Sequence, residues 1–541
     1  MSPILTLLTG GFLYLLWRLS RAYFTRSPLD KIPGPASGSI LMGNAIQLLE
    51  HDNHNFVKDL VETYGTVSKI HGVLGGRWLH VYDPKAIHSV LVKDASQYGK
   101  GVGSDNGTEL LLGPGLLATH GERHRRQRKM LNPVFSAAYM RSMTPFFHEI
   151  VGKLRDAIHT QVSAGVKEVD IAGWMARTAL ELVGQGGLGH SFDPLIEETR
   201  DEHTEAVKAL IPAFTEIEWT RFFLPFVHYL GPPRFRRWLL ELVPHKGVQR
   251  LKGIVDIMHS RSVELYREKK AAALRGDESL SDRVAGGKDV MSVLLKANLQ
   301  ASEEDKLPDE EVLAQMSTFI LAGTDTTSNA LSRVLQLLAM HPHIQSKLRT
   351  ELNEAHERYG DNIPYDELMQ LPYLDAVCRE TLRLHAPTTV VFREAFADNI
   401  LPLMTPIRTI DGEYVSEVPV PKGTLVVLNF RACNTNKALW GEDAETWRPE
   451  RWLEPPPREV EEARIPGIYS NLMTFGAGSY SCIGFKFSQL EMKVVLTTLV
   501  RTFSFDLPDK PIKWNFAAVD YPTMGGPDTA RAEMLLKIKL V

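Results

Sequence analysis

The chain has 541 residues, of which 44% are hydrophobic and 23% charged, and a formal net charge of −4. That balance supplies enough apolar material for a large core and excludes a wholly disordered chain, while the slight acidic excess gives no reason to expect nucleic acid as a partner. Cys378, Cys433 and Cys482 are too few and too scattered for a disulfide framework or a cysteine-rich zinc site, so a reducing compartment fits and one of these thiols is a candidate for chemistry.

At the amino terminus, Pro3 to Trp17 carries no charge and is rich in Leu, and Arg18, Arg21 and Arg26 follow at once. At about 1.5 Å per residue this run barely crosses a bilayer core. A cleaved signal peptide would place its charge before the apolar run and a small-residue site after it; here the order is reversed. The expectation is a transmembrane anchor with its basic flank over residues 1–26, with the remainder in the cytosol by the positive-inside rule. The sequon Asn106-Gly107-Thr108 would then never meet the glycosylation machinery.

Lys31-Ile32-Pro33-Gly34-Pro35 cannot continue a helix and marks a proline-rich linker, taken as residues 27–50, before a catalytic domain over residues 51–541. Residues 66–92 read as strand, Gly75-Gly76 turn, strand and a short helix after Asp83-Pro84. Residues 122–385 are mostly helical in period, broken by polar loops such as 275–288, and strands return at 415–420 and 424–429. No repeat or Ser-rich linker divides the body. The expected fold class is therefore mainly α with small β-sheets (α+β), in a single large domain.

The clearest helix covers residues 309–340: Pro308 and the acids Asp309, Glu310 and Glu311 suit its first turn, and His341-Pro342 ends it. At the standard rise it is about 45 Å long. Its middle, Gly323-Thr324-Asp325-Thr326-Thr327, sets poor helix formers among apolar neighbours and predicts a kink or bulge. Gly184-Gln185-Gly186-Gly187-Leu188-Gly189 matches a dinucleotide fingerprint letter for letter, but it follows a helical pattern and precedes a loop, the reverse of what that fingerprint needs.

Around the last cysteine the chain reads Phe475-Gly476-Ala477-Gly478-Ser479-Tyr480-Ser481-Cys482-Ile483-Gly484-Phe485, and a helical pattern starts at Phe485. Glycines let a main chain pass close to a sulfur or a flat macrocycle, and a helix start favours an anion just before it. This segment resembles the haem-binding signature of the cytochrome P450 family, F-x-x-G-x-[R/H]-x-C-x-G. Glu380-Thr381-Leu382-Arg383 matches that family's E-x-x-R, Trp447-Arg448-Pro449-Glu450-Arg451 looks like its PER segment, and Ala322-Gly323-Thr324-Asp325-Thr326-Thr327 matches the A/G-G-x-D/E-T-T of its central helix. These motifs follow one another in the family's order. The chain is similar in general character to fungal microsomal members of basidiomycete type.

The resemblance implies haem b (iron protoporphyrin IX) as cofactor, Cys482 as axial ligand of the iron, and Phe475 and Gly478 of the cysteine loop as further cofactor-binding residues. It implies His124 and Arg128 as partners of a haem propionate, with His124 standing where Trp is usual, and Arg393 as a further one. Asp325 and Thr326 become the candidates for proton delivery, and Glu380, Arg383 and Arg451 a buried structural network. Tyr480 departs from the signature, since a phenol brings no positive charge where Arg or His is expected.

The implied activity is a monooxygenase that inserts one oxygen atom from O2 into a lipophilic substrate, a terpenoid, sterol or aromatic compound, in secondary metabolism or xenobiotic oxidation. The resemblance also implies NADPH-cytochrome P450 reductase as electron donor, and an endoplasmic reticulum membrane location with a cytosolic catalytic domain. Arg123, Arg125, Arg126, Arg128, Lys129, Lys486 and Lys493 are the candidate docking charges. The expected pocket walls are the loop 102–117, Phe319 and Ala322, Val390 and Val391, and a turn near 521–524, with the apolar stretch 222–230 on an entry route from the membrane. An isomerase or dehydratase on the same fold, or a non-catalytic haem protein, stays open at this point.

Overall fold

The computed structural model describes residue 17, residues 25–195, scattered positions between 206 and 220, and residues 224–275, 289–525 and 532–541. The expected anchor at 1–26 lies almost wholly outside the described residues, and among those residues no helix is long and apolar enough to cross a membrane. The polar loop 276–288 also lies outside them. The described chain is mostly helical with small sheets and forms two compact units.

The first unit comprises residues 1–101, 388–446 and 456–481. It is built on a five-stranded sheet. Val67–His71 and Arg77–Val81 form a hairpin with Val67 opposite Val81, Arg77–Val81 runs parallel to Leu425–Asn429, and Val390–Ala395 and Tyr98–Gly99 complete the sheet antiparallel. Leu48, Leu60, Ile70 and Val427 make a core cluster on it, with Phe56 and Trp78 packed against them. The short helix Pro84–His88 starts where Pro fills the first position and the Asp83 carboxylate accepts from the Lys85 and Ala86 amides.

The second unit comprises residues 102–387, 447–455 and 482–541. Its axis is the helix Asp309–Met340, with Pro308 before it, acids in its first turn and His341 closing it, as the sequence predicts. Val312, Met316, Leu331, Val334, Leu335 and Leu338 are buried along it; a fully buried side chain of this kind contributes about 1.5–3 kcal/mol. The helix Ile171–Leu182 is capped by Asp170, whose carboxylate accepts from the Gly173 amide. The glycine-rich segment that mimics a dinucleotide fingerprint continues that helix as a π turn, Val183–Leu188, with no strand before it.

The kink or bulge expected in the central helix is absent, and the α-helix runs unbroken through Gly323 to Thr327. Of the hydroxyls that predicted a break, Thr326 Oγ1 is satisfied by the helix itself, donating to Ala322 O at 2.8 Å, Thr327 Oγ1 donates to Ser488 Oγ at 3.1 Å, and Thr324 Oγ1 is buried without a hydrogen-bond partner. Gly323 answers to packing instead. A Cβ there would stand 2.5 Å from Val183 Cγ2, so only a glycine lets the two helical segments come this close.

Candidate active site

Cys482 is the accessible cysteine, whereas Cys378 and Cys433 are buried and their thiols are pushed up, that of Cys378 to about 12. It lies just ahead of the helix Phe485–Thr502, whose cap is Gly484. Its sulfur can be reached yet is walled in by protein, and loss of solvation raises the thiol above its ordinary range. The Gly484 amide donating to the sulfur and the nearby Arg128 guanidinium pull it back down in part. This donor set fits a metal-bound thiolate: the anion is expensive here until a cation meets it, and an N–H and a guanidinium are already placed to moderate its charge.

His124 and Arg128 sit one turn apart on the helix Gly121–Leu131. His124 is buried, and Arg128 donates from Nε to Asn132 Oδ1 at 3.2 Å. Burial lowers the Arg128 pKa, and the charge of Cys482 works against that. Asp325 and Thr326 lie in the middle of the central helix of the same unit. Because the Thr326 hydroxyl donates to Ala322 O, it faces other groups as an acceptor. One position on, Thr327 Oγ1 donates to Ser488 Oγ at 3.1 Å and ties the central helix to the helix that follows the cysteine.

The remaining cofactor-binding candidates, Phe475, Gly478 and Arg393, belong to the first unit. Phe475 ends the 3-10 turn Met473–Phe475, edge-on to Tyr469 with centroids 5.5 Å apart. Gly478 has φ +66°, and a Cβ on it would lie 2.1 Å from Leu91 O, so the glycine serves a close backbone passage as well as a left-handed turn. The Arg393 guanidinium lies 5.9 Å from the Tyr480 ring centroid, and Lys100 Nζ lies 5.9 Å from the same ring. Two cations therefore flank the position where the signature lacks one. Arg393 stands ten residues past Arg383 of the E-x-x-R motif; Lys100 has no local pattern that would have singled it out.

Glu380, Arg383 and Arg451 meet in one buried cluster. Arg383 clasps Glu380 with Nε on Oε2 at 2.8 Å and Nη2 on Oε1 at 2.9 Å, and Arg451 Nε reaches Oε1 at 3.4 Å. Trp452 Nε1 and the Arg448 amide also donate to this carboxylate, at 2.9 and 3.1 Å. Both additions come from the segment 449–453 that carries Arg451 and from its flank.

The candidate docking charges divide. Lys493 is buried, with Nζ 2.7 Å from Asp375 Oδ1 and donating to Met369 O at 3.0 Å, so it is removed from that face. It lies on the inward side of its helix, and an ammonium there persists only because it is paired. Arg123 and Arg126 hold the buried Glu311, at 2.6 and 3.5 Å. Arg125 and Lys129 are exposed, with exposed partners in Glu122 and Asp305. The expected pocket walls also differ in detail: 102–117 is opened by a helix, Val102–Leu112, and Tyr521–Thr523 is a strand paired with Lys513–Asn515. Of the stretch 222–230, positions 222 and 223 lie outside the described residues, and Leu224–Leu230 is a 3-10 helix.

Residues 33–518 match a family model described as Cytochrome P450. The chain is 51% identical over 531 residues to cytochrome P450 monooxygenase 91 of Postia placenta, covering 98% of this chain and 97% of that protein. It is 50% identical over 542 residues to ganoderic acid synthetase CYP5150L8 of Ganoderma lucidum, covering 99% of each. A more distant similarity, 36% over 525 residues, is to cytochrome P450 monooxygenase eriI of Hericium erinaceus, covering 95% of this chain and 94% of that one. With that coverage, and with a reachable thiol set just before its helix, the chain belongs to the cytochrome P450 family and is a monooxygenase whose cofactor is haem b, held in the family through a cysteine thiolate.

Proposed function

We propose that Cys482 is the thiolate ligand, that His124, Arg128 and Arg393 are the haem-propionate partners, and that Asp325 and Thr326 govern proton supply. Bound haem supplies the activation of dioxygen. The chain's own residues set its conditions. The Gly484 amide and Arg128 lower the cost of charge on the sulfur. Thr326 Oγ1, its hydrogen given to Ala322 O, holds a water by its lone pairs, and Asp325 beside it passes that water a proton. Phe475 and Gly478 keep the loop ahead of the cysteine in its turn.

The substrate in this reading is a lipophilic terpenoid, sterol or aromatic compound of secondary metabolism, oxidised at the endoplasmic reticulum membrane with electrons from NADPH-cytochrome P450 reductase. The similarity to a ganoderic acid synthetase supports the secondary-metabolic role. Contact with a bilayer surface is supported by Tyr229, 86% exposed, and by Phe235, Trp238 and Leu242, all exposed on or beside the helix Pro233–Glu241 with Arg234 and Arg237 among them. Arg125, Lys129 and Lys486 remain as charges for an acidic partner.

The single observation that carries the site assignment is an exposed cysteine just before a helix start, with the Gly484 N–H donating to its sulfur and the Arg128 guanidinium near it. The test is the reduced carbon monoxide spectrum of the purified protein. The expected result is the red-shifted Soret band of thiolate ligation in wild type and its loss in Cys482→Ala; a histidine-type band in wild type overturns the assignment.

A further inference from the structure

The central helix carries more than Asp325 and Thr326. Ala330 and Arg333 follow Thr326 at spacings of one and two turns, so they continue its stripe of the helix for about 10 Å. The hairpin formed by Lys513–Asn515 and Tyr521–Thr523 meets the helix at Arg333 and Gln336, two turns and more beyond Thr326. The Arg333 guanidinium stacks on the Trp514 indole with Cζ 3.6 Å from the ring centroid. Trp514 Nε1 donates to Gln336 Oε1 at 2.7 Å, and Arg333 Nη1 reaches the same oxygen at 3.3 Å. At the far strand, the Asp520 amide donates to Pro387 O at 3.0 Å.

A cavity of about 10 Å³, the room of a single water, lies at this point, with Ala330, Ala386 and Pro387 around it as well as Asn329, Arg333, His385, Trp514 and Asp520. Across such a gap dispersion is weakened, and the stacked cation with its shared Gln336 acceptor helps fix the distance between hairpin and helix.

We propose that Arg333 is a positioning residue for substrate specificity: by clamping Trp514 it sets how closely the carboxy-terminal hairpin covers the stripe of the central helix that bears Thr326, and hence the size of molecule admitted there. This rests on the active-site reading given above, through the place of Thr326. Arg333 touches no reacting atom in this account and acts through the hairpin.

The test has two arms on the purified full-length protein. In hydrogen exchange, Arg333→Met is expected to speed the hairpin amides of 513–523 roughly tenfold to thirtyfold, the range for a cation stacked on an indole away from water, with helix amides at 309–322 unchanged. Arg333→Lys should recover part of the protection, and Trp514→Phe, which keeps a ring but loses the Nε1 donor, should fall between. In the second arm, imidazole, phenylimidazole and clotrimazole are titrated while the Soret band is followed. Arg333→Met should leave imidazole within about twofold and change clotrimazole by roughly tenfold or more.

Unchanged hairpin exchange in Arg333→Met overturns the proposal, and so does an equal change for all the azoles. The exchange arm reads the hairpin whatever the spectrum shows. A wild-type protein lacking the thiolate band would therefore sink the site assignment while the clamp itself was still judged.

Discussion

Glu380 and Glu311 are both buried carboxylates that hold two arginines, yet they are built to different standards. Around Glu380 everything is dry: Arg383 is fully buried, Arg451 nearly so, and an indole and a backbone amide fill the remaining acceptor sites. Around Glu311 the carboxylate is buried but the Arg123 and Arg126 side chains are 45% and 31% exposed, with Gln127 Nε2 donating at 2.7 Å. The first cluster cannot lose a member without stranding a charge out of water. The second can hand its arginines to solvent.

This contrast sets the order of expected effects. Glu380→Ala should cost about 3–5 kcal/mol, enough to leave little folded, haem-loaded protein, as read by urea unfolding and by the haem-to-protein absorbance ratio. A loss below about 1 kcal/mol would erase the distinction.

A buried polar group can also be kept neutral rather than paired, and His80 supplies that third case. Asn429 Nδ2 donates to its Nε2 at 3.0 Å, which leaves the proton on Nδ1 facing Ser68 Oγ at 3.4 Å. Burial pushes its pKa down from 6.5 to about 4. Between these values the unfolded chain binds a proton that the native one refuses, so stability is whole above pH 6.5 and falls as pH drops towards 4. The loss should reach about 3 kcal/mol. His80→Gln should flatten that part of the curve of unfolding midpoint against pH.

Gly323→Ala tests a contact with no charge at all. The methyl group would collide with Val183, at an expected cost of about 1–3 kcal/mol, and Val183→Ala in the same chain should relieve part of it in a thermal melt. Smallest of all, Glu311→Gln keeps its shape and releases half-wet arginines, so about 1 kcal/mol is expected. A larger loss, approaching that of Glu380→Ala, would show that the two clusters are alike.

The two glutamates also differ in how far they could be read beforehand. Glu380 and Arg383 stand three residues apart on one helix, a spacing that puts them on one face wherever the helix goes. Arg123 and Glu311 are 188 positions apart, and neither sits in a pattern that names the other. The same holds for Lys493, whose helix is apolar enough on several sides that its inward turn could not be told from its period. Lys100 beside Tyr480 and Trp514 beneath Arg333 likewise follow from which surfaces meet.

By itself the sequence determined the bounds of the helix Asp309–Met340, the strands on either side of Gly75, and the cysteine loop ahead of its helix. Those features depend on hydrogen bonds and side-chain periods within a few residues, which each segment carries wherever it lies. Only the tertiary structure decided that Gly323 serves a neighbouring helix, that Lys493 points inward, and that Arg333 holds a hairpin. Such choices are made when distant faces bury one another, and burial is a property of the pair.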